Sequence, residues 1–167
     1  MNIIMWKVSF KDPKYKKVQK FNDRVTVVTL KGDMQIPIEV ITSMPKDVCD
    51  WMLNKINPKV QVYHWQGIIS ITATGKAVKS EDDKDDPVLA ERIAECRAKI
   101  AIYKFVTHLI EKYNKHYIKL IIGKYGTTRP DYNQKDTLHS IHGKYSALWG
   151  KELKHLEELF DLVKSNG

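Results

Sequence analysis

Apolar and polar positions alternate in the first half of the chain and recur at spacings of three and four in the second, which predicts strands followed by helices. Residues 3–10 alternate and carry β-branched and aromatic side chains, predicting a strand that Asp12-Pro13 ends. A lysine-rich loop is expected next. Residues 25–30 and 34–41 then flank Lys31-Gly32-Asp33, the pattern of a hairpin with a three-residue connection, and Pro37 assigns its second strand to an edge or a bulge. Residues 59–65 and 68–78 alternate on either side of Gly67 and predict a second hairpin.

Three helices are expected. Ser43 and Pro45 supply a cap and a first-turn residue for a short helix whose apolar face holds Val48, Cys49, Trp51, Met52 and Ile56, and Asn57-Pro58 ends it. Asp86-Pro87 is a second cap-plus-first-residue signal, opening a helix in which Leu89, Ile93, Cys96, Ile100 and Tyr103 share one stripe. Residues 116–122 fit a helix or a short strand, and continued helix is the preferred reading. After a loop over residues 123–135, Leu138, Ile141, Tyr145, Trp149, Leu153, Leu156, Phe160 and Val163 define a final amphipathic helix. Gly143 and Gly150 interrupt it, implying close packing or a break. The expected architecture is one α+β domain over residues 1–167, with two antiparallel hairpins and a short helix between them, packed against two long C-terminal helices.

Composition supports a folded chain of 167 residues, with 43% hydrophobic and 29% charged residues. No apolar run approaches the roughly 20 residues of a membrane span, and Lys7 follows the apolar N-terminus at once, unlike a signal peptide. A cytoplasmic protein without a membrane partner is the expectation. Cys49 and Cys96 lie in helical apolar patterns and read as reduced, buried thiols; without a Cys-x-x-Cys, the common structural zinc sites are not expected.

Catalytic and cofactor motifs are incomplete. Thr74-Gly75-Lys76 lacks the first glycine and the final hydroxyl of a phosphate-binding loop. The acidic run over residues 81–86 lacks the order of a calcium loop, and Asp33 with Glu39 lacks the lysine of a nuclease cluster, Ile41 standing in its place. His139 and His142 could share a helical face, with His116 or His155, but no glutamate stands between them. No cofactor and no catalytic residue is assigned, and a metal-dependent enzyme ranks behind two binding functions.

The formal charge is +8, mostly from lysine, which favours contacts to phosphate backbones over base-specific readout. Two segments interleave cations with rings: Lys14, Tyr15, Lys16, Lys17, Lys20 and Arg24, and then Lys112, Lys115, Lys119, Lys124 and Arg129. Such segments can neutralise phosphates while rings stack on bases, so a non-enzymatic nucleic-acid-binding protein (RNA or DNA) is the first expectation. The alternative is a protein-interaction module, an assembly factor or small inhibitor, that uses Trp149, Leu153, Leu156 and Phe160 for a partner or for self-association.

Residues 75–99, GKAVKSEDDKDDPVLAERIAECRAK, combine a strand ending Gly-x-Ala, an acidic loop and a helix containing Ala-x-x-Arg-Ala. This segment resembles small phage and actinobacterial domains with a double-stranded-RNA-binding-like fold, and a strand-to-helix passage of phage single-strand annealing proteins is similar. The resemblance implies a sheet packed against a helix and assigns no functional residue.

Overall fold

A computed structural model describes residues 15–35, 46, 60–65, 68–81, 83–125 and 132–165. Four strands, β1 (Tyr15–Phe21), β2 (Val25–Gln35), β3 (Val60–Trp65) and β4 (Ile68–Val78), precede two helices, α1 (Pro87–Tyr125) and α2 (Tyr132–Ser165). The strands form one antiparallel sheet in the order β1-β2-β4-β3. Its central pair, β2 with β4, runs in unbroken register from Val25↔Val78 to Gln35↔Ile68. The protein is thus α+β. The expected strand over residues 3–10 and the short helix after Ser43 lie outside the described residues, apart from Lys46.

Two expectations about the strands are corrected. The lysine-rich stretch expected to be a loop is strand β1, which folds back on β2 through Asn22 and Asp23. Both residues have positive φ, 53° and 56°, and Arg24 N donates to the Phe21 carbonyl at 3.2 Å. Those angles characterise the primed turns that match strand twist, and asparagine and aspartate tolerate them. Lys31-Gly32-Asp33 is not a turn but the interior of β2, with Gly32 buried opposite Ile71. The hairpin over residues 60–78 is observed as expected, its last pair being Trp65↔Ile68.

One face of the sheet is buried under α1. Thr26, Val28 and Leu30 of β2 and Ile71, Ala73 and Ala77 of β4 meet Ile93, Ala94, Ala98, Ile102 and Val106 of the helix. Helix and strand backbones approach closely at Gly75: a Cβ there would lie 2.5 Å from Ala98 N and still closer to the Ala94 carbonyl oxygen. Ala94 and Ala98 are fully buried, so a glycine opposite two alanines lets the helix backbone touch the strand. Asp86 Oδ1 accepts from Leu89 N at 3.0 Å and Pro87 opens the helix, the capping expected from sequence. The helix then continues through residues 116–122 to Tyr125.

The far side of α1 carries α2, with Tyr145 and Leu159 fully buried at their junction. The layers are therefore sheet, α1, α2. α2 runs unbroken past Gly143 and Gly150, and a Cβ at either would meet nothing within 4 Å. Neither close packing nor a break explains them, contrary to expectation. The three glycines should separate cleanly in urea melts. Gly143→Ala and Gly150→Ala should each stabilise by about 1 kcal/mol, whereas Gly75→Ala should destabilise by about 3 kcal/mol because backbone, not a yielding side chain, blocks the methyl.

Candidate functional site

Side chains in a strand alternate between faces, so the register sorts the sheet's cations. Lys16 pairs with Leu30 and therefore lies on the α1 side. Its Nζ sits 2.8 Å from Glu91 Oε1 and 2.9 Å from Glu95 Oε2, and the hydrogen bonds to Glu91 and then Glu95 raise its pKa. Lys17, one residue on, lies on the opposite face and is exposed. Lys31 of β2 and Lys76 of β4 share that face and are also exposed. Among the described residues, none of these three makes an ion pair.

Strand spacing and rise place their Cα atoms about 8–14 Å apart, Lys17 to Lys31 being the shortest separation. Thr29, Thr72 and Thr74 fill the ground between them, and Phe21, Val25 and Val78 form an apolar end to the same face. Phe21 is 49% exposed and Val78 61%, so this end is open to solvent. The strands contain one carboxylate, Asp33, which accepts a 2.6 Å hydrogen bond from Ser70 Oγ across β2 and β4. Pairing also places the backbone positions of Tyr15, Tyr63 and Trp65 on the outer face.

The other described basic residues of β1 and of the turn after it do not join this surface. Lys14 and Arg129 lie outside the described residues. Lys20 and Arg24 border a cleft of about 570 Å³ between the β1–β2 turn, the loop before α1 and the start of that helix. Asp23, Asp83, Asp85 and Asp86 share this cleft, and Lys79 lies 3.6 Å from Asp85. Its charges largely cancel. Lys115 is exposed and Lys112 half-buried on α1, with Lys119 and Lys124 further along. Lys112 stands 17 residues beyond Glu95, or about 25 Å along the axis, so the two basic segments are separate surfaces.

Sequence grouping missed Lys31 and Lys76 because they stand far apart in the chain, although strand alternation would have placed each on the polar side. Of the residues expected to meet a protein partner, Trp149 and Leu156 pack against the core, whereas Leu153 and Phe160 are 44% and 38% exposed. Arg97 lies over the Phe160 ring at 5.3 Å.

Two clusters join the helices. Glu111 of α1 accepts from His142 Nε2 at 2.9 Å and from His108 Nδ1 at 3.3 Å. Further along, Cys96 Sγ donates to Glu152 Oε2 at 3.3 Å and to the Glu152 carbonyl at 3.2 Å, and His155 Nδ1 donates to Glu152 Oε2 at 3.4 Å. Burial, then Glu152, pushes the Cys96 thiol up to about 12, so it is protonated at neutral pH and is no nucleophile. His142 and His155 serve different carboxylates and do not form a common site. The Glu152-x-x-His155 spacing was the available sequence signal for this second cluster.

The chain matches no protein-family model, no curated protein and no solved structure.

The Glu111 carboxyl is held below its ordinary value chiefly by the hydrogen bond from His142, with burial opposing and His108 assisting. A carboxyl with a lowered folded pKa adds stability that is complete above its unfolded value and lost as pH falls through the folded one. Glu111→Gln should therefore cost up to about 1 kcal/mol near pH 6, the pair being half exposed. The difference from wild type should shrink in urea melts as pH falls below the ordinary glutamate range and the carboxylate protonates.

Proposed function

We propose that this chain is a non-enzymatic binding protein that holds single-stranded nucleic acid against the outer face of its sheet. One observation carries the reading: Lys17, Lys31 and Lys76 are exposed on one face of three neighbouring strands and make no ion pair among the described residues, and the one carboxylate of these strands, Asp33, accepts from Ser70. Lysines at these separations can reach successive phosphates, while threonine hydroxyls offer further donors. The exposed Phe21 ring supplies a stacking surface that every base can use. An open strand face suits a splayed single strand better than a rigid duplex, whose bases are already stacked. Lys115 and the other cations of α1 form a secondary contact for longer strands.

The protein-interaction alternative has less support, since only Leu153 and Phe160 of its four anchors are exposed.

Fluorescence anisotropy with labelled single-stranded RNA and DNA over a range of salt tests the reading. Affinity should fall steeply with salt, and Lys17→Glu with Lys31→Glu and Lys76→Glu should weaken binding at least 100-fold while flattening the salt slope by about 2. Phe21→Ala should weaken it by about 1–3 kcal/mol. Lys16→Gln, whose partners are Glu91 and Glu95, should change it little. Absence of binding at low salt, or equal binding by the triple variant, would eliminate this surface.

A further inference from the structure

We infer that Cys96, Glu152 and His155 form a site for one thiophilic divalent transition-metal ion, of the zinc class, at the seam between α1 and α2. The three residues offer sulfur, oxygen and nitrogen ligand atoms that all lie within 4.8 Å of one another. Two edges of this triangle are fixed: Sγ to Oε2 is 3.3 Å and Oε2 to Nδ1 is 3.4 Å. Tetrahedral zinc, with bonds of about 2.0–2.3 Å, requires donor separations of about 3.3–3.6 Å. Only the edge between sulfur and nitrogen remains to be set. The site is nearly assembled before any ion arrives.

Packing explains why these donors converge. Cys96 is 2% exposed and held by α1, while Glu152 and His155 stand three apart on α2 and so share one face. The His155 side chain is 40% exposed, which opens an approach from solvent and leaves a fourth ligand position for water. Charge also matches. A thiolate, a carboxylate and a neutral imidazole together carry two negative charges, which a divalent cation cancels in a partly buried seam.

Binding breaks the Cys96 S–H bond, forms a sulfur–metal bond and releases one proton to solvent. His155 binds through Nδ1 and carries its proton on Nε2. Softness of the sulfur donor selects divalent zinc or cobalt over magnesium or calcium. Because the ligands come from two helices, the ion would clamp α2 to α1 and raise the melting temperature progressively as its free concentration exceeds the dissociation constant.

Titration of the untagged, metal-stripped chain carrying Cys49→Ser with cobalt(II) tests the site. The expected result is one equivalent bound, a near-ultraviolet thiolate-to-cobalt charge-transfer band, visible bands of tetrahedral intensity, and displacement by zinc. Cys96→Ser should abolish the charge-transfer band, and His155→Ala, which alters a half-exposed residue of a folded helix, should weaken binding at least tenfold. His142→Ala should leave the titration unchanged. No charge-transfer band at saturating cobalt, an unchanged titration in His155→Ala, or loss of the band in His142→Ala would overturn the assignment. The nucleic-acid assay reads a different face, so the two outcomes are independent.

Discussion

The close approach of α1 to β4 at Gly75 sets the rest of the structure. With no side chain at Gly75 and only methyl groups at Ala94 and Ala98, helix backbone meets strand backbone, and dispersion and burial act at the shortest possible range. A larger side chain at any of these positions would lift the helix from the sheet and open the layer containing Val28, Ile71 and Ala73. Arg97 of the same helix donates to the Lys76 carbonyl, a group beyond the described pairing of β3 with β4. The helix is therefore both the lid of the sheet and the platform for α2.

Fixing which face α1 covers also decides the fate of the sheet's charge. The strands hold five lysines and one carboxylate, net +4 of the chain's formal +8. Alternation divides them. Lys16 turns towards α1 and finds Glu91 and Glu95, while Lys17, Lys31 and Lys76 turn away and find no acid among the described residues. A register shift of one residue in β1 would exchange Lys16 with Lys17 and bring Phe21 under the helix. The salt bridges of Lys16 add little stability at its exposure, but they favour the register in which the outer face is cationic.

The sequence was most legible where a local signal and a tertiary role agreed. Asp86-Pro87 marks the start of α1 because capping is local chemistry, and the second hairpin is visible because its apolar alternation and its pairing coincide. β1 was hidden because an edge strand carries lysines on both faces, which blurs alternation and resembles a solvated loop. Gly32 misled for the opposite reason: a glycine beside aspartate resembles a turn, yet the full-length pairing of β2 with β4 outweighs that local preference. The candidate surface needed the register, since Lys17, Lys31 and Lys76 become neighbours only after pairing. The metal-type cluster needed the helix packing, since nothing in the chain around Cys96 indicates that Glu152 will meet it.

These two sites lie on opposite sides of α1, and their chemistry separates them. The sheet face is open, cationic and fixed by backbone pairing, suited to a long anionic ligand whose affinity depends on salt. The seam with α2 is narrow, carries two acidic groups and is fixed by side-chain packing, suited to a single cation whose affinity depends on donor geometry. α1 is wedged between them by the Gly75 contact on one side and by Tyr145 and Leu159 on the other. An ion clamping α2 would therefore strengthen the outer packing layer without displacing any residue of the sheet face. Coupling between the sites would have to pass through the Ala94 and Ala98 backbone, where there is little room for a side chain to adopt a second arrangement. The packing thus favours a stabilising role for the ion over one that rearranges the sheet face.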